Sequence, residues 1–260
     1  MKFKFFACIL VLALLFTSCG APATKQPETT PESTKSTEPA ADGMLGLDDD
    51  IVILYTNDVH CGLEDHLGYA GLSAIKTSLE AAGKHVLLVD NGDAVQGDTV
   101  GTLSKGTYII DIMNRVGYDV ATPGNHEFDY GMEQFMALTE QASFPYVSCN
   151  FVDAEGKTVL EPYVIIETAG VKLAFVGITT PRTFTSSTPR YFQNDAGEFI
   201  YGFCQDETGE KLYSTVQKTV DAARAAGAQF VIAMTHLGIE ADCAPWMSTD
   251  VITHTNGIDA

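Results

Sequence analysis

The chain alternates short, nearly apolar runs with amphipathic segments, and this alternation is its strongest constraint on fold. Residues 51–56 and 85–89 are almost entirely apolar, which is typical of strands covered on both faces. Residues 69–82 repeat apolar side chains at helical spacing and stop before Gly83, a common helix terminator. A strand, a helix and another strand in this order predict parallel strands in a layered α/β fold.

The same alternation continues to the end of the sequence. Further helices are predicted over 108–116, 131–142 and 209–226, and further strands over 119–121, 145–148 and 229–234, with another beginning near Ile258. Two apolar runs, 162–168 and 171–178, flank Ala169-Gly170 and predict a β-hairpin. The polar and aromatic stretch 182–206 suits an irregular insertion. A hairpin among parallel strands predicts a mixed sheet.

Residues that bind metals follow four of the predicted strands. They are Asp58 and His60 after the first strand, Asp93 after the second, Asn125 and His126 after the third, and His236 after a later one. Because ligands of open α/β sheets gather at the carboxyl ends of the strands, we expect these side chains at one edge. Carboxylate and imidazole groups suit Zn, Mn, Fe or Co, so the pattern predicts a site for divalent metal ions.

The spacing of these residues suggests which of them reach the same metal ion and which have another role. Asp58 and His60 reach one ion if the backbone leaves strand geometry at Val59, and the two oxygens of Asp93 can bridge two ions. His126 is adjacent to Asn125, so the two side chains do not readily reach the same ion. Asp129 lies three residues further on, where its carboxylate could orient the His126 ring as a general acid or electrostatic stabiliser.

Each of these residues has a structural explanation when taken alone. Asp58 could cap a helix, Asp93 could form a turn after Gly92, and His236 could be a satisfied core histidine. The hexapeptide GNHEFD is far less common by chance, and all four groups stand in order at strand ends. The ordered set therefore favours a metal site over separate structural roles.

The net charge is −19, from 15 Lys and Arg against 34 Asp and Glu, and it restricts the kinds of molecule that the chain can bind. Such a surface excludes non-specific binding of nucleic acid polymers, which needs a basic face. Anionic small molecules are not excluded, because two divalent ions carry more positive charge than the carboxylates that bind them cancel. A phosphate group is the anion that such a metal pair would attract.

The stretches TNDVH, NGDAVQGD, TPGNHEFDYG, FVGITTP and THLG make residues 50–260 resemble the calcineurin-like metallophosphoesterases. Within that family the chain is similar to the bacterial secreted 5′-nucleotidase, UDP-sugar hydrolase and 2′,3′-cyclic phosphodiesterase group. The resemblance implies an α/β/β/α sandwich with mixed sheets. It also implies a dinuclear site, in which metal-bound hydroxide attacks the phosphorus of a nucleotide substrate.

The resemblance also assigns roles to individual residues. It implies that Asp58 and His60 bind one metal, that Asp93 bridges both metals, and that Asn125 and His236 bind the second. It implies further that His126 and Asp129 form the catalytic dyad. The metal identity, the preferred nucleotide and the oligomeric state are left open.

Two parts of the family's pattern are not in this sequence. The family continues after a strand that begins near Gly-Ile-Asp with a Gly-His-x-His or Gly-His-x-Gln motif, and then with a nucleotide-specificity domain, whereas this sequence ends at 257–260. We therefore expect a metallophosphoesterase domain over 50–260 that is truncated at its C-terminal end. The resemblance then implies weak or no activity for this fragment alone.

Residues 1–18 have the pattern of a secretory signal. Lys2 and Lys4 precede an apolar run over 5–17, which is shorter than the ~20 residues that a membrane span needs. Residues 15–19 resemble a bacterial lipobox, with Phe16 where Leu, Val or Ile is usual, and predict lipid on Cys19. The alternative is an ordinary signal peptide cleaved nearby, with Cys19 incidental.

Residues 19–49 are rich in Thr, Pro, Glu, Ser and Ala, which predicts a disordered tether. Together with a lipid on Cys19, the tether predicts an extracytoplasmic protein that meets the membrane through the lipid only. In the predicted domain, buried free thiols are favoured over the three possible disulfide pairings. The cysteines concerned are Cys61, Cys149, Cys204 and Cys243.

These expectations favour a metal-dependent phosphoester hydrolase that acts on nucleotides outside the cytoplasm. Two alternatives remain. A sulfur-ester hydrolase would use the same scaffold on another substrate. A non-catalytic lipoprotein that binds metal or a partner would account for the incomplete ligand set.

Overall fold

A computed structural model describes residues 50–260 of the chain. The predicted signal peptide over 1–18, the tether over 19–49 and the lipidation site Cys19 lie outside the described residues. Among residues 50–260, no helix is long and apolar enough to cross a membrane.

The first half of the domain contains a parallel sheet of three strands that neighbour one another in chain order. Its elements in chain order are β1 (Ile51–Thr56), α1 (Gly68–Ala81), β2 (His85–Asp90), α2 (Thr99–Ser104), α3 (Thr107–Val116), β3 (Val120–Ala121) and α4 (Met132–Gln141). In the register of the sheet Ile51 lies opposite His85 and Thr56 opposite Asp90. Because β1 and β2 end level with each other, the residues that follow them emerge side by side.

The second half contains a mixed three-stranded sheet and a small two-stranded sheet. Its elements are β4 (Val152–Asp153), β5 (Tyr163–Thr168), β6 (Val171–Thr179), α5 (Thr183–Ser186), β7 (Tyr201–Gly202), α6 (Glu210–Ala225), β8 (Phe230–His236) and α7 (Ser248–His254). The pairing of β6 with β8 is parallel and places Thr179 opposite His236. This register brings the end of β8 to the edge where β6 also ends.

Three apolar clusters show how the layers stack. One cluster joins side chains of both three-stranded sheets, including Val89, Phe175 and Met234, so the two sheets pack face to face. A second packs helix residues such as Met113 against the outer face of the first sheet. A third packs α6 residues such as Val216 against the second sheet. The α/β fold with its helix, sheet, sheet and helix layers is confirmed.

Most predicted elements of the two sheets lie within two residues of the observed ones. The predicted hairpin is confirmed, since β5 and β6 pair antiparallel across Ala169 and Gly170, whose φ angles are 50° and 73°. Positive φ at both central residues is the geometry that tight hairpin turns require. The stretch 182–206 is largely irregular, as expected, and contains α5 and β7.

Some elements differ from the prediction. Residues 145–148 do not form a regular strand; they make only the single bridges Ala121–Tyr146 and Val147–Glu161. The short helices α2 and α7 were not predicted. Near the predicted strand at Ile258, Asp259 N donates to Val231 O at 2.9 Å and Ala233 N donates to Ala260 O at 2.8 Å. These two bonds place the last residues alongside β8.

Candidate metal centre

The loop after β1 turns sharply and is bonded to the loop after β2. Asp58 and His60 have φ angles of 54° and 48°, so the chain leaves strand geometry on both sides of Val59. Asp58 N donates to Gly92 O at 3.0 Å and His60 N donates to Asp93 O at 2.9 Å. Left-handed backbone at non-glycine residues costs energy and persists where the surroundings hold it. The result is that His60 Nε2 lies 3.7 Å from Asp58 Oδ1.

The Asp93 carboxylate lies at the centre of the site. It is only 3% exposed, and its Oδ2 lies 3.2 Å from His236 Nε2 and 3.9 Å from His60 Nε2. Its Oδ1 accepts a hydrogen bond of 2.8 Å from His126 N. Burial alone would raise the pKa of Asp93, but the hydrogen bond and charge of His236 lower it. A carboxylate kept ionised between two imidazoles is suited to bind cations on both sides.

Both of these histidines are oriented by backbone carbonyls. The Nδ1 atoms of His60 and His236 lie 3.0 Å from Gln96 O and 2.8 Å from Asn91 O, respectively. Since a carbonyl only accepts, each Nδ1–H donates, and the Nε2 atoms are left to face Asp93. Burial would lower the pKa of His236, but the contact with Asp93 raises it to about 9. This negative environment would equally favour a divalent cation.

The loop after β3 passes directly over the Asp93 carboxylate. A side chain at Gly124 would place its Cβ 2.2 Å from Asp93 Oδ1 and 2.8 Å from His236 Cε1, so glycine is needed for this approach. The next residue, Asn125, lines a cavity of about 350 Å³ together with Asp58 and His236. Asn125 therefore adds an amide oxygen to the same edge.

The donor atoms fall into two groups that share Asp93. One ligand atom from each of Asp58, Asp93 and His236 lies within 4.8 Å of the others, and the same holds for His60, Asp93 and His126. Hard oxygen and imidazole nitrogen donors around a shared carboxylate fit divalent ions. The second group includes His126, so the geometry also allows this histidine to be a ligand.

His126 and Asp129 form a close pair. His126 Nδ1 lies 2.5 Å from Asp129 Oδ2 and donates to it. A 3-10 turn over His126–Phe128 brings the two side chains to the same side. Burial would lower the pKa of His126, but the hydrogen bond to Asp129 raises it. With Nδ1 engaged, Nε2 is the ring atom available to hold or donate a proton.

Glu127 carries a function that the sequence did not reveal. Its buried carboxylate accepts hydrogen bonds from the backbone N–H groups of Asp93 and Ala94, both 2.8 Å, and of Gly124, 2.7 Å. The loops after β2 and β3 are thereby held together by one side chain. Burial and the nearby charge of Asp93 raise the pKa of Glu127 to about 7. Its place inside the motif GNHEFD was the only available signal.

Arg182 was also missed. It lines the same cavity as Asp58, Asn125 and His236, and it is the one Lys or Arg among the cavity's lining residues in the described part of the chain. Among the described residues both contacts of its guanidinium use Nη1, which lies 2.9 Å from Cys243 Sγ and 3.2 Å from Asp242 Oδ2. The donors on Nε and Nη2 therefore remain for an anion.

The structure thus brings together every residue proposed for the site. They are Asp58, His60, Asp93, Asn125, His126, Asp129 and His236. Their roles as ligands or as a catalytic dyad stay predictions. The four cysteines of the described residues are free and buried, as expected.

Comparison with known proteins also indicates a phosphoesterase. Residues 51–260 match the family model for calcineurin-like phosphoesterases. A 5′-nucleotidase of Vibrio cholerae is 32% identical over 72% of this chain and 34% of its own length. A 2′,3′-cyclic-nucleotide 2′-phosphodiesterase/3′-nucleotidase of Yersinia enterocolitica is 28% identical over 81% of this chain and 35% of its own.

A solved structure of a calcineurin-like phosphoesterase is also similar to this chain. The calcineurin-like phosphoesterase YfkN from Bacillus subtilis superposes with a TM-score of 0.65 and 29% identity, over 80% of this chain and 69% of that one. The chain spans about a third of the length of the two curated relatives.

Proposed function

This chain belongs to the calcineurin-like phosphoesterase family of metal-dependent phosphoester hydrolases, and from that premise we propose that it hydrolyses nucleotide phosphoesters outside the cytoplasm. The observation that carries the proposal is the Asp93 carboxylate, which lies 3.2 Å from His236 Nε2 and 3.9 Å from His60 Nε2. A shared carboxylate between two donor groups is what a two-metal site needs.

The chain's own residues would hold the ions in two sets. Asp58 and His60 would hold the first ion, Asn125 and His236 would hold the second, and Asp93 would contribute to both. When bound, two divalent ions would polarise the phosphoryl oxygens and lower the pKa of a water molecule. The carbonyl contacts of His60 and His236 fix the direction of both imidazoles before any ion arrives.

The remaining residues of the site act on the substrate. Arg182 would bind phosphoryl oxygens through Nε and Nη2, because guanidinium donors match the geometry of a phosphate. His126, held by Asp129, would stabilise charge on the leaving oxygen or donate a proton to it from Nε2. Arg182 lines the cavity, the His126 ring lies near Asp93, and Asp129 acts through its contact with His126 Nδ1.

Nucleotides are the proposed substrates: nucleoside 5′-monophosphates, UDP-sugars or cyclic nucleotides. The activities for which the Vibrio and Yersinia relatives are named support this class. Since the chain spans about a third of those proteins, the choice among the three is left to the test.

The proposed location rests on the N-terminal sequence. The apolar run over 5–17 and the lipobox-like residues 15–19 support export and a lipid on Cys19. Growth of expressing bacteria with labelled palmitate should label the wild-type chain and leave Cys19→Ser unlabelled. Equal labelling of both would refute the anchor.

The catalytic proposal is tested with the full-length protein, including any residues that its gene encodes beyond 260, and a panel of esters. AMP, UDP-glucose and 2′,3′-cyclic AMP represent the nucleotides, and a thiosulfate ester represents the sulfur-ester alternative. We expect divalent metal to support hydrolysis of a nucleotide. Asp93→Ala should reduce kcat/KM by about 10³ or more, since several kcal/mol of transition-state stabilisation depend on the ions.

A matched control is Asp111→Ala, which removes an exposed carboxylate on α3 and should leave activity unchanged. Near wild-type turnover in Asp93→Ala would refute the mechanism. Hydrolysis of the sulfur ester alone would favour that alternative, and two bound metals with no hydrolysis of any ester would favour a binding protein.

A further inference from the structure

The dyad is contacted from the far side by a residue of the irregular stretch 182–206. Ser187 Oγ donates a hydrogen bond of 3.0 Å to Asp129 Oδ1, and Asp129 Oδ2 lies 2.5 Å from His126 Nδ1. Each oxygen of the Asp129 carboxylate therefore has its own donor. The three side chains form a continuous chain of hydrogen bonds that ends at the ring beside Asp93.

We propose that Ser187 is a positioning residue, which fixes the Asp129 carboxylate and through it the direction of the His126 ring. Rotation of a carboxylate about its last side-chain bond breaks one hydrogen bond when one oxygen is held and two when both are held, so the second bond raises the cost of rotation. Bonds to an ionised carboxylate are stronger than neutral ones, so Ser187 contributes more than an ordinary hydroxyl contact.

Solvent makes this second contact necessary. The side chains of His126 and Asp129 are 31% and 21% exposed, so water has access to the pair. Without the hydroxyl of Ser187, water would compete for Asp129 Oδ1 and the carboxylate would sample other orientations. The His126 ring would then lose its fixed direction beside Asp93 and His60.

The hydroxyl is presented by a rigid support. Ser187 N donates to Thr183 O at 3.0 Å, which closes the end of α5. Thr183 Oγ1 in turn donates to Thr180 O at 2.6 Å, and Thr183 is buried. Ser187 is therefore held by backbone bonds on its own segment before its side chain reaches Asp129.

The first test measures the ring itself. Nuclear magnetic resonance of the full chain follows the exchange with water of the proton on His126 Nδ1, in wild type, Ser187→Ala and Ser187→Thr. We expect exchange to be about tenfold faster in Ser187→Ala, from the loss of one bond to a charged group, and near wild type in Ser187→Thr, which keeps the hydroxyl.

Thr185→Ala is the matched control, because this exposed hydroxyl on the same turn donates only to Arg182 O among the described residues. It should leave the exchange rate unchanged. Equal exchange rates in wild type and Ser187→Ala would overturn the proposal. So would a rate in Thr185→Ala as fast as in Ser187→Ala, since the effect would then be one of the turn as a whole.

The second test rests on the proposed function. With a nucleotide substrate, Ser187→Ala should lower kcat by about three- to tenfold with KM unchanged, and Ser187→Thr should restore kcat. A change confined to KM would overturn the positioning role. If the wild type hydrolyses no phosphoester, the proposed function fails, and the proton-exchange test still decides the role of Ser187.

Discussion

The two sides of the site are built by different kinds of contact. The anchored loops are residues 57–60, 91–94 and 124–127. The first two are joined by backbone hydrogen bonds, and the third is joined to the second by the buried carboxylates of Glu127 and Asp93. The wall segment, residues 180–187, reaches the site through side chains alone, with Ser187 on Asp129 and Arg182 in the cavity.

This difference separates two functions of one site. Metal positions must be accurate to a fraction of an ångström, and loops bonded through their backbones supply that accuracy. Contacts with a substrate can be made by partly exposed side chains, whose replacement leaves the backbone in place. We therefore expect changes in the anchored loops to affect stability and metal binding, and changes in the wall segment to affect kinetics only.

Glu127→Ala should destabilise the anchored loops and lower the free energy of unfolding more than a change in the wall segment does. It leaves the buried N–H groups of Asp93, Ala94 and Gly124 without their acceptor. The expected loss is about 3 kcal/mol or more in the free energy of unfolding. Urea titration measures this loss, and the rise in Tm on adding Mn²⁺ should also shrink, because the Asp93 loop is no longer held.

The matched control for this variant is Glu140→Ala, which removes an exposed carboxylate on α4. It should change the free energy of unfolding by less than about 0.5 kcal/mol. If Glu127→Ala were as stable as Glu140→Ala and kept the full metal-induced rise in Tm, the anchored loops would owe nothing to this side chain.

Arg182→Gln should weaken substrate binding and leave the stability of the anchored loops unchanged. Losing a charge-assisted contact with phosphate is expected to raise KM for a nucleotide about tenfold. The free energy of unfolding should stay nearly constant, since the ion pair with Asp242 involves side chains 38% and 70% exposed. Steady-state kinetics and the same urea titration measure both quantities.

Thr185→Ala again serves as the control in the wall segment, and its KM should match the wild type. An unchanged KM in Arg182→Gln would remove this residue from substrate binding. A large loss of stability in the same variant would show that the wall segment is structural, which would abolish the contrast between the two sides.

The sequence predicted the anchored side well because its signals are local. An apolar run marks each strand, and the residue that follows it must lie at the sheet edge, so Asp58, Asp93 and His236 were found without a structure. The pairing of β1 with β2 in level register then brings the first two together. Short motifs are enough to predict site residues where the sheet topology brings those residues together.

The contacts of Glu127 could not be predicted from local sequence patterns. Its partners Asp93 and Ala94 lie 34 and 33 residues away in the sequence. Both contribute backbone N–H groups, which every residue except proline has, so the sequence does not indicate which of them Glu127 binds. Ser187 and Asp129 are 58 residues apart. Nothing in the composition of 182–206 indicates that this stretch folds back over the dyad.

The elements that were missed have a similar explanation. Helices α2 and α7 span Thr99–Ser104 and Ser248–His254, too short for helical periodicity to be evident. The strands β4 and β7 have two residues each and form a small sheet with one another. Such short elements are specified by tertiary contacts rather than by local pattern.

Anomalous X-ray scattering from crystals of the full chain grown with Mn²⁺ tests whether Asp93 is shared by two metal ions. We expect two peaks that share Asp93, one also bounded by Asp58 and His60 and the other by Asn125 and His236. A single ion bound by His60, Asp93 and His126, or no ion at Asp93, would contradict it.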